Sequence, residues 1–146
     1  MALKFKKALI SDLGIILEIE KSASGSKLYS PILDEKEAKD YLKSSKIFLI
    51  YLEDIPIGSI SYEVKDKDHA YIDGLVIKPE YQGKGFGTEA IEWILKLLEG
   101  YQKISLVTHP ENSNAIKIYE KYGFKKTHVI ENYFGDDQPR VELVKE

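Results

Sequence analysis

Apolar residues recur along the 146-residue chain with two different spacings, and these spacings predict its secondary structure. Alternating or continuous apolar runs predict strands, whereas apolar residues three and four positions apart predict amphipathic helices. The predicted strands are 3–8, 47–52, 57–63, 70–77, 104–108, 125–131 and 140–144. The predicted helices begin after Ser11 or Asp12, after Asp34, after the glycines at 83–87 and at Asn114. The element order is therefore β-α-α-β-β-β-α-β-α-β-β.

This order predicts a mixed α/β (α+β) sheet. The consecutive strands up to residue 77 imply antiparallel pairing, and the strand–helix–strand passage across 70–108 implies one central parallel crossover. The length predicts a single domain, residues 1–146, that is large enough to bury a core. Gly100 fits as the residue that ends the third helix, and Gly123 as the residue that ends the fourth.

The apolar stripe of the first helix contains an ambiguity. Leu13, Ile16 and Leu17 fall on helical spacing, and the stripe continues at Ile19 or at Glu20. In the second helix, Ala38, Tyr41 and Leu42 share one face, and in the third the stripe is formed by the apolar residues at 91, 94, 95 and 98.

Composition excludes several classes of function. Hydrophobic residues make up 43% and charged residues 31% of the chain, which is a globular mixture. The absence of cysteine excludes disulfides, thiolate metal sites and a cysteine nucleophile. A net charge of −3 without a dense basic block argues against nucleic acid as a partner. Without a signal peptide or a membrane-length apolar run, a cytoplasmic protein that does not engage a membrane is expected. His69, His109 and His128 have no ligand spacing, so no metal site is expected.

Three glycines, Gly83, Gly85 and Gly87, alternate with other residues just before the third predicted helix. Unpaired N–H groups at a helix N-terminus favour an anion, and glycines leave those groups accessible. The spacing fits neither the Walker loop G-x-x-x-x-G-K-[ST] nor the dinucleotide turn G-x-G-x-x-G/A. The glycines alone leave an anion-binding turn and a plain loop equally open.

Two motifs carry a resemblance to a known family. Residues 77–87 read IKPEYQGKGFG and resemble the acetyl-CoA motif V-x-P-x-[YW]-[QR]-x-x-G-x-[GA] of the GNAT superfamily of N-acetyltransferases. Residues 112–124 read NSNAIKIYEKYGF and are similar to the family's N-x-x-A-x-x-x-Y-x-x-x-G-F helix. The predicted element order is also that of the family, so the resemblance spans nearly the whole chain.

The resemblance implies acetyl-CoA as cosubstrate and assigns residues to it. The glycine turn would hold the pyrophosphate with backbone amides, and the preceding strand would pair with the pantetheine arm. Lys84 adds charge near the phosphates or is a solvated loop lysine. The implied cofactor contacts are Leu75, Val76, Ile77, Gln82, Gly83, Lys84, Gly85, Phe86, Gly87, Thr88, Asn112 and Tyr119.

Acetyl transfer to an amine sets three chemical requirements. An alkyl ammonium with a pKa of about 10.4 must lose a proton, the tetrahedral oxyanion must be held, and the leaving thiolate must be protonated. The absence of cysteine excludes an acyl-cysteine intermediate, so direct attack in a ternary complex is expected. By resemblance, a backbone N–H on 75–77 is the oxyanion donor.

Tyr119 matches the family's general acid, although Ala115, Ile118 and Tyr122 share its helical face and a core role is the alternative. Asp73 interrupts an apolar strand and is the candidate base; its alternative is a surface carboxylate. His109 and Glu111 flank the same site. The family's ribosomal-protein N-terminal acetyltransferases carry a glutamate five residues before the motif asparagine, where this chain has Val107.

The acceptor is the least determined part. Residues 131–137 resemble the hairpin that peptide-N-terminus acetyltransferases place over their substrate, with Tyr133 and Phe134 as candidate contacts. Asp136 or Asp137 attracts an amine or belongs to a plain hairpin tip. The loop with Tyr29 is expected to border the acceptor cleft. A small amine or a peptide is expected as acceptor, and a monomer and a homodimer stay open. The alternatives are a non-catalytic acyl-CoA-binding regulatory domain and a bare interaction domain.

Overall fold

Residues 2–146 are described by the structure, a computed structural model, and they contain one seven-stranded sheet in the order β1-β2-β3-β4-β5-β7-β6. The strands are β1 Leu3–Lys7, β2 Lys46–Leu52, β3 Ile55–Asp66, β4 His69–Ile77, β5 Lys103–Thr108, β6 Lys125–Ile130 and β7 Arg140–Lys145. The helices are α1 Leu13–Lys21, α2 Glu35–Ser44, α3 Phe86–Leu97 and α4 Ser113–Lys121. None of the helices within residues 2–146 is long and apolar enough to cross a membrane.

Strand pairing confirms the predicted mixed sheet. Strands β1 to β4 pair antiparallel in sequence order, β4 and β5 pair parallel, and β7 pairs antiparallel with both β5 and β6. The parallel pairing joins only residues 69–71 to residues 103–105. Beyond that point β4 remains paired to β3, and β5 to β7. The two central strands therefore separate and leave a slot between residues 72–77 and 106–108.

Two apolar cores lie on the sheet. One core lies under α1 and α2 and is built from Ala8, Ile16, Ile19, Ala38, Ile47 and Leu49. The other lies under α3 and α4 and contains, among others, Ile60, Ile91, Ile94, Ile116 and Leu143. Burying one such branched side chain is worth roughly 1.5–3 kcal/mol.

Several predicted helix ends are confirmed and one is wrong. Asp34 Oδ1 accepts the Glu37 N–H at 2.8 Å and caps α2, and Gly123 ends α4 with φ of 97°. Gly100 is not the left-handed residue that was expected after α3. The last turn instead closes at Leu98, with φ of −96°, whose N–H bonds the Ile94 carbonyl. An ordinary turn therefore ends α3, and no glycine is needed there.

Candidate functional site

The glycine turn is an open concave segment at the start of α3. Gly83 and Gly85 have φ of 76° and 86°, the left-handed region that favours glycine, and Gly85 is the N-cap residue. A Cβ added at either position would meet no atom within 4 Å. The helical ladder begins with the Glu89 N–H bonded to the Gly85 carbonyl, so the N–H groups before it lack helical partners. The turn therefore offers backbone donors to an anion.

Side chains next to the turn fix its position. Gln82 Nε2 donates to the Ile77 carbonyl at 2.8 Å and ties the turn to the end of β4. Lys84 Nζ lies 5.9 Å from the centre of the Tyr81 ring and adds a positive charge beside the turn. Phe86, Gly87 and Thr88 form the first turn of α3, directly after Gly85.

The slot has backbone on one wall and a helix start on the other. Leu75, Val76 and Ile77 pair with β3 but not with β5, so their second backbone edge faces the slot. An extended cofactor arm can add to such an edge as a further strand. Asn112 precedes α4 on the opposite wall, and its Nδ2 donates to Thr108 Oγ1 at 3.3 Å.

Tyr119 lies in the core and still keeps a free hydroxyl. It is 6% exposed and packs edge-to-face on Phe124, with ring centres 5.6 Å apart. Burial raises the pKa of its phenol, and the neighbouring Tyr29 raises it further. Within residues 2–146, every fully enclosed side-chain polar atom has a hydrogen-bond partner, whereas the Tyr119 hydroxyl has none. The hydroxyl therefore reaches solvent, as a neutral proton donor beside the slot.

Asp73 is not the surface carboxylate that the sequence left open. The β3–β4 register shifts between Ser61 and Tyr62, so that Asp73 is the extra residue of a β-bulge. Its Oδ1 accepts from the Ser61 hydroxyl at 2.5 Å, and its Oδ2 accepts from the Ser45 hydroxyl. Burial raises the pKa of Asp73, while these two hydroxyls act in the opposite direction.

Glu20 is a second buried carboxylate in this region, and the sequence analysis did not assign it a function. It lies in the last turn of α1, is 8% exposed, and accepts the Ile32 N–H on Oε1 at 3.2 Å. Burial raises the pKa of Glu20 to about 7, and the charge of Asp73 raises it as well. The sequence does contain a signal for this buried position, because Glu20 lies on the same helical stripe as the apolar residues Leu13 and Ile16.

Tyr41 of α2 lies near both carboxylates and contacts strand β3. Its hydroxyl bonds the Ser61 hydroxyl, and an added Cβ on Gly74 would come within 2.9 Å of that oxygen. Burial raises the pKa of Tyr41 well above its ordinary value, and the charges of Asp73 and Glu20 add to this. Tyr41 therefore stays a neutral hydrogen-bond partner.

His109 is unsuited to the role of base. It is 1% exposed, its Nδ1 accepts the Glu111 N–H at 3.1 Å, and its Nε2 donates to Gln138 Oε1 at 2.8 Å. Both ring nitrogens are thus used to join two loops. Glu111 is occupied as well, because its Oε2 lies 2.9 Å from Lys27 Nζ, an exposed ion pair between the α1–α2 loop and the start of α4.

The segment between β6 and β7 reaches β4. The Tyr133 hydroxyl lies 3.5 Å from the hydroxyl of Tyr71, two residues before Asp73, and Phe134 is 47% exposed. Asp136 is not free for an amine, because its Oδ2 accepts from buried Arg140 at 3.0 Å. Tyr133 therefore lies close to the part of β4 that carries Asp73.

Val107 lies on β5 with no carboxylate of its own. Its partner in the sheet is Glu142 of β7, whose carboxylate accepts from the Thr127 hydroxyl at 2.5 Å. The position of the ribosomal-protein subgroup's glutamate is thus apolar in this chain, and the buried carboxylates lie elsewhere, on α1 and β4.

Comparisons with known proteins agree with this geometry. A model of the acetyltransferase (GNAT) family matches residues 15–124. Protein YqkA (UPF0157) of Bacillus subtilis is 34% identical over 101 residues, which are 68% of this chain and 29% of that protein. N-alpha-acetyltransferase 50 of Danio rerio is 27% identical over 113 residues, 73% of this chain and 67% of that protein.

Spermidine N(1)-acetyltransferase of Escherichia coli is 37% identical over 71 residues, 45% of this chain and 38% of that protein. The chain thus spans from 29% to 67% of the length of these relatives. Among solved structures, a GNAT family acetyltransferase from Elizabethkingia anophelis with acetyl-CoA bound has a TM-score of 0.79 at 18% identity, over 99% of this chain and 97% of that one.

The family model covers most of the chain, including both motifs, and the solved structure has the same fold. The resemblance that the motifs indicated is thereby confirmed. The chain belongs to the acetyltransferase (GNAT) family.

Proposed function

We propose that the protein is an N-acetyltransferase that moves an acetyl group from acetyl-CoA to a primary amine by direct attack. The observation that carries the proposal is the slot between β4 and β5. A turn that can offer backbone N–H groups to an anion precedes α3, Tyr119 on α4 has a neutral hydroxyl, and Asp73 on β4 is a partly buried carboxylate.

We assign one group to each step of the reaction. Asp73 takes a proton from the acceptor ammonium, because its buried carboxylate has a raised pKa that favours proton uptake. The neutral amine attacks the thioester carbonyl, and a backbone N–H of residues 75–77 holds the oxyanion. When the C–S bond breaks, the Tyr119 hydroxyl gives its proton to the departing thiolate. The attacking nitrogen, cationic after attack, releases its second proton to solvent as the tetrahedral species collapses. Tyr119 regains a proton from solvent, and the products are a neutral amide and coenzyme A.

The cofactor contacts follow from the same geometry. The residues proposed for the pyrophosphate are 82–88, with Lys84 supplying charge, and Leu75 to Ile77 and Asn112 face the extended arm from opposite walls. Acetyl-CoA bound in a protein of the same fold supports the assignment.

Two acceptor classes fit the carboxylate side. The zebrafish relative is an N-alpha-acetyltransferase and the bacterial relative a spermidine acetyltransferase, so we propose a peptide N-terminus or a small amine as acceptor. Tyr29, Tyr133 and Phe134 are the side chains proposed to border it. The Phe134 ring contacts Tyr133 and the Arg140 guanidinium, and its exposed part is proposed to pack against a chain-like substrate.

A thiol-release assay tests the reaction. Acetyl-CoA is supplied with polyamines, amino sugars and short peptides, and an amine that accelerates thiol release above hydrolysis supports the proposal. Tight acetyl-CoA binding without acceleration by any amine would contradict it and favour a non-catalytic acyl-CoA-binding domain.

The cofactor turn is tested by Gly87→Glu with Gly87→Gln as the control. Gly87 has an ordinary φ, and a Cβ there comes no closer than 4.0 Å to Ile77, so both variants should fold. The added carboxylate faces the pyrophosphate, so we expect acetyl-CoA affinity by calorimetry to fall at least tenfold further in Gly87→Glu than in Gly87→Gln. Equal affinities would remove the turn from the cofactor site.

A further inference from the structure

The carboxylate of Glu20 is enclosed and yet incompletely bonded. Only Oε1 has a hydrogen-bond partner among residues 2–146, the Ile32 N–H, although the residue is just 8% exposed. Every fully enclosed side-chain polar atom within these residues has a hydrogen-bond partner. Because Glu20 Oε2 has none, it is not fully enclosed and keeps contact with solvent. A buried carboxylate is costly without partners, so an oxygen of this nearly buried side chain that has no protein partner requires an explanation.

The groups that face Glu20 supply no positive charge. Tyr41 from α2 and Asp73 from β4 face it, and the loop contributes the Ile32 N–H. The charge of Glu63 on β3 raises the pKa of Asp73, but Glu63 forms its own ion pair with Lys65 at 3.3 Å. Lys78, which follows β4, is bound to Glu18 Oε1 at 2.6 Å on the more exposed side of α1. The two carboxylates therefore share a region without a compensating cation.

We propose that Glu20 binds the acceptor ammonium together with Asp73 and receives the amine's proton from Asp73 before releasing it to solvent. This inference rests on the proposed function and deepens it, because it assigns a second proton acceptor to the same site. The acceptor enters as a cation and supplies the positive charge that the two carboxylates lack.

The amine's proton moves in two transfers. The N–H bond of the ammonium breaks toward Asp73, and the proton then passes to Glu20, either directly or through a water on Oε2. The amine lone pair is then free to attack, and Glu20 returns its proton to solvent through its open oxygen. Asp73, held by Ser45 and Ser61, regains its charge for the next ammonium. A base whose pKa lies near the working pH is the most effective acceptor, and Glu20 meets that condition.

The test compares pH profiles of kcat/KM for spermidine and for a free-N-terminus hexapeptide in the parent and in Glu20→Gln. Glutamine keeps the size of the side chain and the bond from Ile32. We expect kcat/KM of the variant at pH 8 to fall about 10- to 100-fold. We also expect the ionisation near pH 7 to vanish from its profile, while acetyl-CoA affinity stays parental. Glu35→Gln, on the exposed side of α2, should overlay the parent.

A second readout is independent of turnover. In protein labelled at glutamate carboxyl carbons and saturated with coenzyme A, spermidine should lower the pKa of Glu20 by about one unit, since a bound ammonium favours the carboxylate. If amines are acetylated but Glu20→Gln keeps the parental profile and spermidine leaves the Glu20 pKa unchanged, this inference is wrong and the proposed function stands. If no amine is acetylated, the proposed function fails, and the spermidine shift alone decides whether Glu20 binds an ammonium.

Discussion

Tyr119 and Asp73 show how burial prepares single residues for proton transfer in opposite directions. Burial raises the pKa of both, because a low-dielectric environment disfavours the charged form of each. For the phenol this keeps the hydroxyl neutral, so Tyr119 can donate to the departing sulfur, although it is a weaker acid than a free phenol. For the carboxyl it makes proton uptake from an ammonium easier. Burial therefore strengthens Asp73 as a base and keeps Tyr119 a neutral donor.

Tyr119→Phe should lower kcat while leaving acetyl-CoA affinity and Tm close to parental. The ring and its contact with Phe124 remain, and the hydroxyl has no partner within residues 2–146 to lose. A thiolate is a tolerable leaving group, so we expect a loss of about tenfold, below the usual range for general acid catalysis. Steady-state kinetics and a melting curve on one preparation measure both quantities.

The matched control is Tyr122→Phe on the same helix. The Tyr122 hydroxyl donates to Glu92 at an exposed position, so its loss should leave kcat unchanged. Parental kcat in Tyr119→Phe would assign Tyr119 to the core alone and leave the thiolate to be protonated by water.

Asp73→Asn should reduce kcat/KM most strongly at the acidic end of the active pH range. There the ammonium is hardest to deprotonate, and the parent still has a carboxylate that accepts from two serine hydroxyls. Binding of acetyl-CoA should not change, because these contacts lie on the opposite side of β4 from α3. The pH–rate profile of the variant is the measurement, and a profile that overlays the parent would exclude Asp73 as base.

At the level of elements, helix caps and strand periods were readable from sequence because they depend on neighbouring residues. Asp34 and Gly123 act within a few positions of their own backbone, and both were predicted correctly. Gly100 was misassigned because α3 ends two residues before Glu99, in a turn that no local residue signals. Glu20 and Ser45 were missed because α1, α2 and β4 meet only in the folded chain. The bulge at Asp73 also depends on strand register, which the sequence leaves open.

Substituting Gly123, which follows α4, and Gly100, which follows α3, tests which helix end needs a glycine. Gly123→Ala should destabilise the protein by about 1–2 kcal/mol, because its φ of 97° is unfavourable for alanine and the Cβ would lie 2.8 Å from Lys145 Nζ. Gly100→Ala, where φ is ordinary and no atom lies within 4 Å, should be neutral or stabilising by up to about 1 kcal/mol. Urea unfolding of both variants measures the difference. Equal destabilisation would show that the end of α3 also needs a left-handed residue.

For the whole molecule, the paired carboxylates link function to stability. Glu20 and Asp73 both have raised pKa values, so folding favours the protonated form of each, and each weakens the fold when it is ionised. The pKa of Asp136 is lowered by the Gln138 N–H and by Arg140, so Asp136 contributes in the opposite direction. The protein therefore retains a pair of carboxylates that weakens its fold at neutral pH, as expected when a site is arranged for a cationic ligand that is absent during folding.

Glu20→Gln should consequently change how stability depends on pH. The pKa of Glu20 rises from an ordinary 4.5 to about 7 on folding. The stabilisation from this shift is fully present below pH 4.5 and is lost as the pH rises through 7. The shift therefore changes the free energy of unfolding by about 3 kcal/mol at most between these two pH ranges. Glutamine resembles the protonated carboxyl, so the variant should lie within about 1 kcal/mol of the parent at pH 5 and be about 3 kcal/mol more stable than it at pH 8.

Urea unfolding at pH 5, 6, 7 and 8 measures this effect, and the difference between variant and parent isolates Glu20 from the other titrating groups. Glu35→Gln removes an exposed glutamate of α2 and should give a constant difference across the same range. Saturating spermidine with coenzyme A should narrow the gap at pH 8, since a ligand bound only to the folded parent stabilises it. A gap between Glu20→Gln and parent that is equally large at pH 5 would mean that glutamine improves packing at this position, and the raised pKa of Glu20 would then not be what weakens the fold.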